Sequence, residues 1–389
     1  MTRPSVRRQA WILLALVLSA PAASQPDTCA SRTGSDATLV VPPLSASLTE
    51  LGFRTSSPIW VLDGEGRCIG KGTLSKRKAR AITLWGDNAL TPEKDGAARD
   101  EPLRLVAETR DGELQVPLDA EWERVIAGPE DSDGLAYRAG AVYVAAELVP
   151  QRGDVAVEVR AVLEGAYDGA TGAMRTRLAA SGALPPSHPF GGAEFDGTAL
   201  EYDVPGALAA ELRDGGRVVD YVLVELRRAP DAAPAGRAPA VVLADGTVAA
   251  LDGARAVPFA DVVPGPYHVV VRHRSHLDVI SAEPVDASSG RGAVDFTASA
   301  DAALSKRGRA PSLARVAPGV FALWGGDYDG SGEPDEDDFA AYLAAFEDAA
   351  SGYFAPDGTL DGAVTSADLT LYLNAAHAGV ESRVPDADR

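Results

Sequence analysis

Two stretches near the C-terminus place oxygen-bearing side chains at alternate positions. The second reads Asp357-Gly-Thr359-Leu-Asp361-Gly362-Ala363-Val364-Thr-Ser-Ala-Asp368. A calcium ion needs six to eight hard oxygen ligands. Asp357, Thr359 and Asp361 stand at loop positions 1, 3 and 5, the Ala363 carbonyl at 7, and Asp368 at 12, where a helix should start. Gly362 at position 6 permits the sharp turn that brings these oxygens together. Val364 at position 8 should pair with its counterpart in a twin loop or enter the core. An acidic turn without an ion is the plain alternative, and the match at every position argues against it.

The first stretch reads Asp327-Tyr-Asp329-Gly-Ser331-Gly332-Glu333-Pro334-Asp335-Glu-Asp-Asp338. Asp327, Asp329, Ser331, the Glu333 carbonyl and Asp338 take the same positions. Two departures weaken it. Ser331 replaces a carboxylate, and fewer charged ligands make a weaker site. Pro334 at position 8 has no N–H to donate between paired loops. The alternative here is a solvated acidic turn that holds calcium only weakly.

The elements that must position these loops follow from periodicity. Phe339, Tyr342, Leu343 and Phe346 recur at helical spacing, as do Leu369, Tyr372, Leu373 and Ala376. The loops start 30 residues apart, so one loop–helix unit is repeated in tandem. Upstream, β-branched alternation and turn residues predict strands at Thr38–Val41, Ile59–Leu62, Ala81–Leu84, Leu103–Ala107, Val142–Leu148, Val155–Leu163, Val218–Leu226, Ala240–Leu243, Tyr267–Arg272 and Ala293–Thr297. Their spacing suggests sandwiches rather than a parallel sheet. A helical stretch is expected near Gly172–Ser181 and a loop over Asp231–Pro239. Ala300–Pro318 is basic, poor in large apolar residues, and reads as a linker.

Gly326 to Ala378, with the trailing Ser-Ala-Asp-Leu-Thr-Leu-Tyr-Leu of Ser366–Leu373, resembles a type I dockerin. The resemblance implies bound Ca2+ and a cohesin-like partner docking on exposed residues around Ser366, Ala367, Thr370 and Tyr372. Residues 157–297 resemble a module found near the C-terminal end of large surface proteins of Bacteroidota and related bacteria. Leu163-Glu-Gly-Ala-Tyr-Asp-Gly-Ala-Thr-Gly-Ala-Met174, Val219-Asp-Tyr-Val-Leu-Val-Glu-Leu-Arg227 and Tyr267-His-Val-Val-Val-Arg-His-Arg-Ser-His-Leu277 carry that likeness. It implies a secreted or adhesin-like surface protein and names no ligand. Cys29 to Arg124 looks like another extracellular β-module, through Arg67-Cys-Ile-Gly-Lys-Gly72 and Leu84-Trp-Gly-Asp-Asn-Ala-Leu-Thr-Pro-Glu-Lys-Asp-Gly96.

The N-terminus reads as an export signal. Arg3, Arg7 and Arg8 precede an apolar run from Ala10 to Ala20, and small residues follow to Ser24. The run is short for a membrane span, and no later stretch could serve as one. Loss of the three arginines would take the formal charge from −20 to −23. Such acidity argues against nucleic acid, whose phosphates need Lys and Arg. Export makes a Cys29–Cys68 disulfide the default, with two buried thiols as the alternative. No Cys/His spacing suggests zinc.

Other candidates read more plainly as structure. Asp87, Asn88, Glu93 and Asp95 could bind a cation, but such residues more often form Asx-turns. Trp60 and Trp85 read as packed residues rather than a sugar platform. On one strand His268 and His276 would share a face and His273 would oppose them. With Arg272 and Arg274 alongside, the histidines read as structural or surface residues rather than as metal ligands.

The expected fold is mainly β: two β-sandwich-like modules followed by a small α-helical dockerin-like calcium-binding domain. The expected divisions are a signal peptide at 1–24, modules at 25–126 and 127–299, a linker at 300–318, the calcium domain at 319–380 and a tail at 381–389. No nucleophile elbow, zinc-helix motif, phosphate loop or dinucleotide fingerprint is present. A non-catalytic role is therefore expected, in adhesion or calcium-dependent protein or glycan binding. The alternative is a scaffold component docking through its tail, and third an extracellular hydrolase with a paired-carboxylate site.

Overall fold

Alternating apolar residues turn one face inward in strands such as Asp36–Val41 and Gly153–Arg160, and the chain is mainly β as expected. The computed structural model describes residues 29–30, 33, 35–88, 90–110, 112, 114–126, 135–190, 208 and 215–385. The expected signal peptide lies outside the described residues.

The first sheet contains β1 (Asp36–Val41), β2 (Pro58–Leu62), β3 (Cys68–Thr73), β4 (Arg80–Trp85), β5 (Arg104–Glu108), β6 (Gln115–Ile126) and β7 (Val142–Pro150). Their order is β3-β2-β5-β6-β7-β1-β4, antiparallel except for β1 with β7. A short helix, α1 (Ala46–Glu50), follows β1, and the Ser45 hydroxyl caps it by accepting from the Leu48 N–H. The sheet folds back so that β3 lies against β4. A Cβ on Gly72 would sit 2.6 Å from Ile82 Cγ1, and one on Gly70 2.8 Å from the Thr83 carbonyl, so glycine alone allows this approach. Leu39, Ile59, Val61, Ile69, Ile82, Leu84 and Tyr143 fill the core between. Cys29 and Cys68 form a disulfide, tying the segment before β1 to β3.

The second sheet contains β8 (Gly153–Arg160), then, after the short pair β9 (Tyr167–Asp168) and β10 (Ala173–Met174) and helix α2 (Arg177–Ser181), β11 (Val218–Arg227), β12 (Pro234–Leu243), β13 (Thr247–Ala250), β14 (Ala256–Val262), β15 (Pro266–Arg272), β16 (Val279–Ile280), β17 (Val285–Asp286) and β18 (Arg291–Asp295). The main path runs β14-β8-β13-β12-β11-β15-β16, with β17 on β15 and β18 parallel to β8. Every residue of β11 is buried, including Asp220, Glu225 and Arg227.

Four expectations change here. The first module runs to Pro150 rather than residue 126, because β6 pairs antiparallel with β7 and β1 pairs with β7 from its other side. Composition marked a boundary between two strands that pair with each other. Asp231–Pro239 is largely strand, since β12 begins at Pro234. β13 reaches only Ala240–Val242, so the proline-bearing half of β12 has a partner on one side alone, where a missing N–H is tolerated. The expected linker at 300–318 is ordered: it carries β19 (Leu313–Ala317), which pairs with β20 (Val320–Leu323), and Ala303, Leu313, Ala322 and Leu323 join the second core. A few well-placed apolar residues suffice to bury a stretch that is basic on average. The helical stretch near Gly172–Ser181 is shorter than expected, because β10 takes its first part.

Helices α3 (Glu336–Glu347) and α4 (Ser366–Ala378) follow the two acidic loops as expected. They do not form a detached unit. Backbone bridges join Leu163 to Leu323 and His276 to Gly325. The final segment returns across this seam: the Ser382 N–H donates to the Gly332 carbonyl, its hydroxyl to the Asp278 carbonyl, and Val380 and Val384 are buried. Among the described residues no helix is long and apolar enough to cross a membrane.

Candidate metal centre

Each loop ends in a capping box that holds its last carboxylate in place. In the first, Asp335 caps α3 and the Asp338 carboxylate accepts from the Asp335 N–H at 2.8 Å and the Asp329 N–H at 2.9 Å. In the second, Thr365 caps α4, and Asp368 accepts from Thr365 N–H at 2.7 Å and Thr359 N–H at 2.8 Å. The same carboxylate therefore closes the loop and starts the helix. Tyr328 joins the loops: its hydroxyl donates to the Asp368 carbonyl at 2.6 Å and packs over Gly358, where a Cβ would lie 2.8 Å from it.

The first loop, which its sequence marks as the weaker, has its carboxylates together. Oxygens of Asp327, Asp329 and Asp338 lie within 4.8 Å of one another, with Asp327 and Asp338 buried and Asp329 exposed. The Ser331 hydroxyl donates to the Glu333 carbonyl at 3.1 Å, so positions 5 and 7 adjoin. Gly330 and Gly332 take the left-handed turns the loop requires, at φ 75° and 88°. Pro334 is buried and does not disturb this arrangement.

The second loop is tied to its surroundings. Asp357 accepts from the Asp361 N–H at 3.1 Å and the Gly362 N–H at 2.9 Å. Asp361 accepts from the Ala363 N–H at 3.2 Å, and its other oxygen lies 3.2 Å from Arg177 Nη1. Arg274 Nη2 lies 3.9 Å from Asp357. Val364 neither pairs with the first loop nor stays outside: its N–H donates to the Ala350 carbonyl, and its side chain packs with Tyr328 and Tyr342. Position 4 is Leu360, left-handed at φ 56° and buried in the same apolar cluster as the second sheet. Left-handed backbone costs such a residue roughly 1–2 kcal/mol. Full burial of a leucine contributes roughly 2 kcal/mol, which offsets it.

Two features fit a dication. Thr359 Oγ1, at position 3, is buried without a hydrogen-bond partner, and an unmet buried hydroxyl is expensive. Burial pushes Asp338 up to about 6, with the Asp329 charge adding to it. Burial likewise pushes Asp357 up to about 6, against the lowering effect of the Gly362 N–H and Arg274. A bound divalent ion would reverse that penalty, and the donor set is the hard-oxygen chemistry of calcium.

Behind the second loop sits a buried polar cluster. Asp220 accepts from Tyr353 Oη and Tyr221 N–H, each at 2.7 Å, from Arg274 Nε at 3.0 Å and from His273 Nε2 at 3.2 Å. His273 Nδ1 accepts from the Ser275 N–H, and His276 Nε2 accepts from the Gly165 N–H. These contacts assign the protons: His273 carries its proton on Nε2, and His276 on Nδ1, facing His273 Nδ1 at 3.1 Å. Burial holds both imidazoles below their usual range. Alternation had separated His273 from His276, but β15 ends at Arg272, and the turn beyond it brings their rings to 4.8 Å. His268 lies apart, with Nδ1 on the Ser281 carbonyl. An aspartate inside the apolar β11, followed later by adjacent His and Arg, was the available signal for this cluster.

The remaining candidates are structural. Asp95 accepts from the Asn88 N–H, Asp87 from the Asp95 N–H and Asn88 from the Leu90 N–H, so these acids shape their own loop. Trp60 is buried with Lys71 Nζ 5.3 Å over its ring, and Trp85 is half-buried. The chain matches no protein-family model and no curated protein.

Proposed function

We propose that this is an exported, non-catalytic protein whose C-terminal loops hold Ca2+ and which acts by binding a protein or glycan, as in adhesion. The observation that carries the reading is the Asp327–Asp329–Asp338 cluster, with the unmet Thr359 hydroxyl at the matching place in its twin. The calcium ligands in this reading are Asp327, Asp329, Ser331, the Glu333 carbonyl and Asp338, then Asp357, Thr359, Asp361, the Ala363 carbonyl and Asp368. Ser275, His273 and Asp220 touch in the order of a nucleophile relay. Ser275 has no exposure, however, and its own N–H occupies the histidine nitrogen that a base would need. That supports a structural role for the relay.

A second reading, docking through the tail to a cohesin-like partner in a scaffold, is favoured by where aromatic groups meet solvent, although Leu90, Val125 and Ile126 of the first module are exposed too. Among the described residues the exposed aromatics are Phe339, Phe346 and Phe354, and Leu343 and Leu373 join them on the helices. Ser366, Ala367 and Thr370 are exposed beside them, and Tyr372 stacks on Phe339. No β-module aromatic is comparably exposed among these residues. Calcium titration of the chelator-treated chain by calorimetry tests both readings at their base. Two binding events and a raised melting temperature are expected. No heat and no melting shift would refute the calcium reading.

A further inference from the structure

We infer that calcium in the second loop is coupled to the seating of the tail on the second sheet, with Leu360 and Arg274 as the coupling elements. The inference rests on the calcium reading above and extends it from a site to its control.

The two loops share a backbone path but not a residue at position 4. Gly330 enters the left-handed region freely, whereas Leu360 does so carrying a side chain. The left-handed turns at positions 4 and 6 swing the later oxygens back toward the earlier ones. At Leu360 no local preference favours that turn; the buried seat of its side chain in the second core does. One backbone state therefore both assembles the second loop's oxygens and seats Leu360.

Arg274 makes a second tie from the opposite side. Its Nε and Nη2 lie 3.0 Å from Asp220 of β11, and its guanidinium covers the Tyr353 ring at 4.2 Å. Nη1 donates to the Phe354 carbonyl and lies 3.5 Å from the Asp357 carbonyl. The seam is closed tightly: a Cβ on Gly165 would lie 1.9 Å from the Gly358 carbonyl. Loosening of the second loop is thus felt at Asp220, His273 and Gly165. The first loop is held differently: Gly330 needs no seat, and Ser382 links the loop to the second module by donating its N–H to the Gly332 carbonyl and its hydroxyl to the Asp278 carbonyl.

A ligand that prefers one of two states shifts the balance between them. By reciprocity, loosening the seat must weaken the ion by the same factor. The test uses the full chain with the first loop disabled by Asp327→Ala and Asp329→Ala, which remove two of its oxygen donors, with and without Leu360→Gly, titrated with Ca2+ by calorimetry. For an autonomous loop, Leu360→Gly removes backbone strain and leaves affinity unchanged or tighter. Coupling predicts the opposite sign, a loss of about tenfold, within the usual range for linked sites. Hydrogen exchange on the unmutated chain gives an independent readout. Ca2+ should slow exchange at the seam amides of Gly165, Leu277, Leu323 and Gly326 as well as within the loops. Calcium binding with affinity kept in Leu360→Gly, or protection confined to the loops, overturns the coupling and leaves the calcium reading standing. Absence of calcium binding in the unmutated chain overturns both.

Discussion

Asp220→Asn should be among the most damaging single substitutions in this protein. Asp220 has no exposed surface and accepts four hydrogen bonds, two of them at Oδ2 from Arg274 and His273. Burial alone would raise its carboxyl, but Arg274, His273 and Tyr353 outweigh burial and hold it well below the usual carboxylate range. An asparagine amide is neutral and must present an NH2 to one side. Facing Arg274 and His273, it sets donor against donor. Flipped, it opposes the Tyr221 N–H, which cannot turn away. Either way the buried Arg274 guanidinium loses its nearer anion and keeps only Asp357, at 3.9 Å. Two hydrogen bonds involving charge are worth roughly 1.5–3 kcal/mol each. Breaking a buried ion pair by removing one partner costs roughly 3–5 kcal/mol. Both routes converge on about 4 kcal/mol for the second module. Urea denaturation of the calcium-loaded chain, followed by Tyr and Trp fluorescence, measures the cost. Asp220→Asn combined with Arg274→Met should recover part of it, because the stranded cation is then gone. A loss below about 1 kcal/mol for Asp220→Asn, or no recovery in the pair, refutes the reasoning.

Calcium affinity should fall as pH drops below about 6, because burial raises Asp338 and Asp357 to that value and each must shed its proton to ligate. Both shifts are upward, so proton competition begins nearer neutrality than for an ordinary aspartate; titrations at pH 5 and 7.5 in buffers of different ionisation heat measure the affinity change and the protons released. Cys29→Ser opens a loop of sequence separation 39 and should cost the first module about 4 kcal/mol by chain entropy, read as a lower denaturation midpoint under non-reducing conditions.

Local patterns carried much of this protein on their own. The alternation of oxygen donors, the glycines at Gly332 and Gly362 and the helical spacing after each loop are all short-range, so loop and helix positions were legible in order. β1 and β4 were legible because one buried face makes their residues alternate, and β2 and β15 because they are short runs rich in β-branched and aromatic residues, buried on both faces. β3 was not, because Gly70 and Gly72 lack side chains to make room for the next strand, β4, where the folded sheet brings the two together. With two cysteines in the chain, one disulfide pairing was available, and it forms.

What tertiary structure decided is everything set by a partner far along the chain. The place of β7 in the first sheet depends on β1 and β6 together, not on the turn-rich stretch before it. Ala300–Pro318 is ordered by a core that its composition does not reveal. The relative merit of the two loops also changed. By ligand identity the second was the better, yet Arg177 and Arg274 lie beside its carboxylates while the first loop gathers three of its own. Position 4 is the clearest case: Leu360 looks like a departure from the glycine of its twin until the second core is seen to hold it. A sequence specifies which atoms could bind an ion. Which backbone state holds those atoms in place depends on what the rest of the chain buries against them.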